Sequence, residues 1–266
     1  MKKYFIAILI SNFFLLSAYS LPSSRIVSLS PALTEAIFLL GQGDKLVARS
    51  SACNIPAEAA SLPVAGKFGE IAVERIMSLQ ADCVVADTLI DASLIRPLAD
   101  AGINVHILPC SSVAEYLAAV TELGNLTGAA EEAKKITEET GQTLALFHPL
   151  PRPVRTLWVV WTDPLIVAGT NTLPAEAMQI AGLVNAATEK GYFKPSAEWL
   201  VQSRAQLVII NRKAGNISDS PLFRDLPAVR RDRVIFLPET NDLERPGAGF
   251  LPAVKKLQNE ILEMLQ

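Results

Sequence analysis

Reactive and metal-binding side chains are scarce in this chain: among 266 residues there are three cysteines and two histidines. His106 and His148 stand far apart and no Cys-x-x-Cys occurs, which excludes a zinc site of the usual spacing. A serine or cysteine nucleophile needs a base beside it, yet no Gly-x-Ser-x-Gly is present. His106 alternates within a strand-like run, and His148 sits in the proline-rich connector "HPLPRPV". Phosphate cradles are missing too, since "GQG" at 41–43 follows a helical segment rather than a strand and no "GxxxxGK" appears. No catalytic residue and no metal ligand is assigned, and an enzyme is not expected. A secreted hydrolase working through cleft carboxylates is the enzymatic alternative. Basic charge is not in excess, with 24 Lys and Arg against 27 Asp and Glu, which argues against nucleic acid and anionic membrane surfaces as partners.

Long apolar runs are confined to the start. Lys2 and Lys3 precede an apolar run from Tyr4 to Leu16, and small residues follow at Ala18 and Ser20. That run is shorter than the roughly 20 residues a bilayer requires, and its three-part layout is that of a cleavable secretory leader over residues 1–20. No cysteine follows the small residues, so a lipid anchor is not expected, and the mature chain is read as periplasmic or otherwise extracytoplasmic and monomeric. Such a compartment permits disulfides. Cys53 and Cys110 both follow predicted strands and can form one bridge, leaving Cys83 as a small filler in an apolar run.

Half of the residues are hydrophobic, and the length suffices for two domains with separate cores. Strand-like and helix-like segments alternate from Arg25. "RIVSL" precedes "SPALTEAIFLLGQG", in which Ser30 can cap a helix and Pro31 suits its first turn. "KLVARS", "DCVVAD" and "NVHILP" are further strands, with helices expected over "VERIMSLQ" and from Ala92 to Ala101 despite Pro97. A nearly continuous helical stretch runs from Ser112 to Phe147 and breaks at "NLTG". Its second part, about 19 residues at 1.5 Å each, spans nearly 30 Å and is long enough to strut one lobe against another. A second alternating unit follows: "TLWVVW", "LIVAG", a helix from Leu173 to Ala181, "QLVIIN", a short helix near Leu222, "RVIFLP", and a final helix from Ala248 to Leu265. The predicted class is α/β, with two Rossmann-like lobes whose central sheets are parallel, joined by one long rigid helix. The boundaries read 25–127 for the first lobe, 128–148 for the connecting helix and 149–266 for the second lobe.

In open α/β sheets ligands bind beyond the carboxyl ends of the strands. The ranked positions in the first lobe are therefore Ser30 and Pro31, Ala52 to Asn54, Asp87 and Thr88, and Cys110; Pro31, Ala52, Cys53 and Thr88 are taken as ligand contacts, with Phe68 added because it lies between glycines in "GKFGEI". In the second lobe the ranked positions are Trp161 to Asp163, Asn211 and Arg212, and Asn241 to Arg245, of which Trp161, Thr162, Asp242 and Arg245 are taken as ligand contacts. Trp158 and Trp161 lie three apart on one strand and point to opposite faces, so Trp158 is assigned to the core and Trp161 to the cleft. Trp199, on "SAEWLVQS", is read as packing.

The order of these segments resembles the substrate-binding proteins of ABC importers that handle cobalamin, iron-siderophores and haem. The likeness rests on "SLSPALTE", "VERIMSLQADCVV", "VAGTNTLPAEAMQIAGLVNAA" and "LERPGAGFLPAVKKLQNEIL", and covers nearly the whole mature chain. It implies a ligand held between the lobes, no cofactor of the protein's own, and delivery to a permease dimer with its ATPase. It also implies one docking glutamate on each lobe, matched here by Glu74 and Glu244. Haem-binding relatives place a tyrosine where this chain has Phe68, so the implied ligand is a cobalt corrinoid first, an iron chelate second and haem third.

Overall fold

The protein is described here from a computed structural model covering residues 22–67, 70–214, 217, 221–238 and 242–265. Its first half builds a six-stranded sheet from β1 (Ile26–Ser28), α1 (Pro31–Leu39), β2 (Leu46–Ser50), α2 (Ala57–Ala60), β3 (Val64–Lys67), β4 (Glu70–Ile71), α3 (Val73–Ser78), β5 (Cys83–Ala86), α4 (Ala92–Asp100) and β6 (Asn104–Ile107). The order is β4-β3-β2-β1-β5-β6, parallel throughout except for the β3–β4 edge. Every residue of β5, "CVVA", is buried, as expected of a parallel strand covered on both faces. Alternation then divides the core. Ile26, Cys83 and Val85 face α1, while Val27, Val84 and Ala86 pack with Ile76 of α3 and Leu98 of α4 on the other side.

α5 (Val113–Thr127) and α6 (Ala130–Ala145) connect the halves as an antiparallel pair. Ser112 caps α5 by accepting from the Glu115 amide at 3.1 Å, and Gly128, at φ +78°, ends it. At Gly124 the two helices nearly touch: a Cβ there would lie 2.5 Å from that of Ala133. α5 begins in the core of the second half at Val113 and ends in that of the first at Leu123. α6 returns, burying Ala133 against the first core and leaning Leu144 on the second. The 16 residues of α6 span about 24 Å. A further tie joins the halves where the Val113 amide donates to Glu176 Oε2 at 3.0 Å; burial pushes the Glu176 carboxyl above its ordinary range.

The second half contains β7 (Arg155–Thr162), β8 (Leu165–Ala168), α7 (Leu173–Ile180), β9 (Val184–Asn185), β10 (Tyr192–Phe193), α8 (Ala197–Gln202), β11 (Leu207–Asn211), α9 (Pro227–Arg230), β12 (Val234–Leu237) and α10 (Phe250–Met264). The sheet runs β10-β8-β7-β11-β12, with β9 beside the start of β7. β7, β11 and β12 are parallel, whereas β8 folds back antiparallel on β7, because Asp163 and Pro164 alone separate them and a parallel crossover needs a dozen residues or more. The short helix expected near Leu222 is a run of turns instead, and α9 starts only at Pro227, which suits a first helical position.

Candidate functional site

At the carboxyl ends of β7, β11 and β12 lies a cavity of about 250 Å³. Trp158, Trp161 and Tyr192 supply its aromatic surface, Leu237 and Leu243 its aliphatic surface, and Asn211 and Glu244 its polar rim. The register of β7 shifts between Val159 and Trp161. Such a bulge re-aims the side chains beyond it. Trp158, before the shift, is 5% exposed, packs in the core and also lines the cavity, whereas Trp161, beyond it, stands 45% exposed at the rim. The Trp161 indole is held by donation from Nε1 to the Asp163 carbonyl at 2.9 Å, so its ring is positioned before any ligand arrives. Thr162 points elsewhere: its hydroxyl donates to the Ala214 carbonyl and pins the turn after β11. Tyr192, 57% exposed on an edge strand of two residues, was not singled out from the sequence, because so short a strand leaves no alternation to read.

The strand ends of the first sheet are more polar. The Thr34 hydroxyl donates to the Ser30 carbonyl at 2.9 Å and lies 2.8 Å from Ser28 Oγ, so the first turn of α1 is tied to β1. Ser30 holds the N-cap position without a side-chain capping bond, and Pro31 follows at the first helical position. Ala52 and Thr88 are exposed, while Asp87 is 9% exposed and accepts the Leu89 amide at 2.9 Å. Cys53 is fully buried, with Sγ 3.1 Å from Ser50 Oγ and turned toward the Ser28 carbonyl, so it braces β1 against β2 rather than facing a ligand. The Cys53–Cys110 bridge allowed by the sequence is not formed: all three cysteines are free. Cys110 packs instead beside the first core, where burial, with Asp87 and Glu115 nearby, pushes its thiol up to about 12 and keeps it protonated. Phe68 lies outside the described residues, as does the expected leader.

Between the sheets, the Arg245 guanidinium meets Glu35 of α1 at 2.5 Å, with Asp242 at 3.8 Å on its other side. Arg245 was expected to face a ligand, and its Nε is instead engaged across the two halves; Asp242 is exposed beside it. Burial pushes the Glu35 carboxyl up, and the Arg245 hydrogen bond and charge pull it partly back. The Tyr116 hydroxyl of α5 is buried there and, among the described residues, has no hydrogen-bond partner. Burial drives it well above the usual phenol range, Glu35 adding to the effect.

The two glutamates paired from the sequence have different surroundings. Glu74 is exposed, the second residue of α3. Glu244 is exposed as well, but it stands at the rim of the cavity, where it accepts from Asn211 Nδ2. The position equivalent to Glu74 is held by Glu198. Each is the exposed second residue of a six-residue helix leading into the strand beside the first strand of its sheet, α3 into β5 beside β1 and α8 into β11 beside β7. A helix feeding a parallel strand must run against it, so both acids lie toward the carboxyl edges of the sheets. The signal is present in the sequence, where "VERIM" and "AEWLV" place an acid at the same step of a short apolar helix.

Among the described residues no group of three or more His, Cys, Asp or Glu side chains is placed to hold a metal ion. The chain matches the periplasmic binding protein family model over residues 26–240. It is 25% identical over 252 residues to the vitamin B12-binding protein of Vibrio cholerae serotype O1, covering 91% of this chain and 90% of that one. Among solved structures, the periplasmic vitamin B12 binding protein BtuF of Vibrio cholerae aligns with a TM-score of 0.76 at 24% identity, over 92% of this chain and 99% of that one. The periplasmic haem-binding protein HutB of Vibrio cholerae aligns with a TM-score of 0.79 at 21% identity, over 89% and 98%.

Proposed function

The chain belongs to the periplasmic binding protein family, and from that premise we propose that it captures a corrinoid between its two lobes and hands it to an ABC importer without chemistry of its own. The observation that carries the choice of ligand is the cavity wall. Two tryptophans and a tyrosine line it, no Lys, Arg or His occurs among the described lining residues, and Arg245 is engaged with Glu35. Haem propionates and carboxylate-bearing ferric chelates would meet Glu244 there without a lining cation, whereas the flat apolar ring and amide arms of a corrinoid suit aromatic walls with a few hydrogen-bonding groups. The relative at 25% identity over nearly its whole length, a vitamin B12-binding protein, supports the same choice. A cavity of about 250 Å³ is below the 300–1,000 Å³ of ordinary small-molecule pockets, so it receives one edge of a large ligand while the rest lies between the lobes.

In this reading residues 1–20 are a cleaved leader, 25–127 and 149–266 are the lobes with 128–148 linking them, and the mature protein works in the periplasm as a monomer. Trp161, Pro31, Ala52, Thr88 and Phe68 frame the ligand. Cys53, Thr162 and Arg245 hold the frame, and Asp242 flanks Arg245.

The test is to incubate the purified mature chain with cyanocobalamin, haemin and ferric chelates, and to follow comigrating visible absorbance and tryptophan quenching. Cyanocobalamin should bind, and Trp161→Ala should weaken it about tenfold, equivalent to about 1.4 kcal/mol. Binding of haemin or a ferric chelate alone would replace the ligand class. Failure of all three at micromolar concentration would remove the receptor reading.

Delivery needs contact with the permease dimer, and Glu74 with Glu198 provides it. Glu74→Gln with Glu198→Gln should leave corrinoid affinity unchanged and lower transport by the reconstituted importer. Should Glu244→Gln, and not Glu198→Gln, abolish transport while sparing ligand binding, the docking pair is Glu74 with Glu244.

A further inference from the structure

The helices that carry Glu74 and Glu198 match beyond their acids. In α3, "VERIMS", the fourth residue Ile76 is fully buried and the fifth, Met77, is 50% exposed; in α8, "AEWLVQ", Leu200 is fully buried and Val201 is 50% exposed. The buried residue anchors each helix to its own core, Ile76 in the first half and Leu200 in the second. Met77 and Val201 belong to neither core. The exposed aliphatic follows the acid at i+3 in both helices, the spacing that puts two side chains on one helix face. The third position differs: Arg75 stands there in α3, and in α8 Trp199, whose indole donates to Glu189 Oε1 at 2.8 Å. What the two lobes share is therefore one face, an acid next to a half-exposed aliphatic side chain. Single exposed aliphatics are ordinary on a protein surface, but the same one recurring at the same step of two pseudo-equivalent helices needs a reason that chance exposure does not give.

We propose that Met77 and Val201 are the apolar halves of two docking points, each completed by its glutamate. The occupant is the importer's permease dimer, which presents on each of its two subunits a cation beside an apolar side chain. The inference rests on the docking reading of Glu74 and Glu198. Charge complementarity selects that partner: an exposed acid on each lobe calls for a cation at two related places, and a two-subunit permease offers them by symmetry. The labour divides by range. Exposed charges act over distance and set encounter and register, while apolar contact acts only once water has left and governs how long the complex lasts.

The permease–ATPase complex that transports with the parent chain, reconstituted in lipid nanodiscs, is titrated with the intact mature protein loaded with cyanocobalamin, at low and high salt. Met77→Gln with Val201→Thr should weaken binding to the importer about tenfold, chiefly through faster dissociation, with the salt dependence kept. Glu74→Gln with Glu198→Gln should slow association and flatten the salt dependence. Met77→Leu with Val201→Ile, which keeps the apolar surface, should bind like the parent, and cyanocobalamin affinity should be the same in all variants, showing that each is folded. If the Gln/Thr variant binds the importer like the parent while the glutamate variant does not, the apolar halves are overturned and the acidic docking stands. If neither variant differs from the parent, the docking reading falls and takes this inference with it.

Discussion

Arg245→Ala should lose about 2–3 kcal/mol of stability near neutral pH, somewhat less than the 3–5 kcal/mol typical when one partner of a fully buried ion pair is removed. The discount follows from partial exposure: the Arg245 side chain is 24% exposed and that of Glu35 15%. What destabilises the variant is the carboxylate left behind, desolvated and without its cation. The pH dependence follows in sign. Burial already raises the folded-state Glu35 above its ordinary range, and deleting Arg245 removes the hydrogen bond and charge that pulled it back. A group whose pKa is raised on folding contributes most below its unfolded value and loses that contribution as pH rises through its folded value. The variant should therefore be most handicapped near pH 7, and the gap from the parent should narrow toward about pH 4 as Glu35 takes up a proton. Urea denaturation at both pH values measures this. An equal gap at both would mean that the Glu35 charge is not what the variant suffers from. Adding Glu35→Gln to Arg245→Ala should recover part of the loss, a coupling that a double-mutant cycle reads directly.

Phe250→Ala should cost more, about 3–5 kcal/mol, the usual range for emptying a buried aromatic site. Phe250 is 1% exposed and opens α10 against the core of the second half. It also borders a cavity of about 240 Å³ between the start of α10 and the α5–α6 pair. Removing the ring therefore enlarges a cavity already walled by α1, α5, α6, α10 and the Pro246–Gly247 turn, and a site shared by so many elements closes poorly over a hole. Phe250→Leu keeps most of the volume and should cost less than about 1.5 kcal/mol. Chemical denaturation of the two variants checks both numbers, and an alanine variant within 1 kcal/mol of the leucine one would mean that the region closes over the hole.

Both positions lie in "LERPGAGF", and the sequence alone was of limited use there. It showed a turn before an amphipathic helix, with an acid and a base adjacent. It did not show that Arg245 reaches back 210 residues to Glu35, or that Glu244 turns into the cavity wall. Local pattern reports how each segment is buried, because side-chain periodicity follows the face turned to the core. The separation of Trp158 from Trp161, the fully apolar "CVVA" strand and the helix break at Gly128 are legible for that reason. Strands of two residues such as β4, β9 and β10 carry too few side chains to show alternation, so the sheet edges, and with them Tyr192, escaped.

By itself, then, the sequence determined the alternating α/β architecture, the helical connection between two cores, and the absence of nucleophilic and zinc-binding motifs, since each follows from residue type and spacing along the chain. Tertiary structure alone decided that the cysteines stay apart, that Arg245 reaches Glu35, and that Glu198 takes the same place beside its sheet as Glu74 takes beside the other. Those outcomes depend on which strand ends and helix starts meet in space, and on the relative cost of leaving each charge or thiol without a partner once water is excluded.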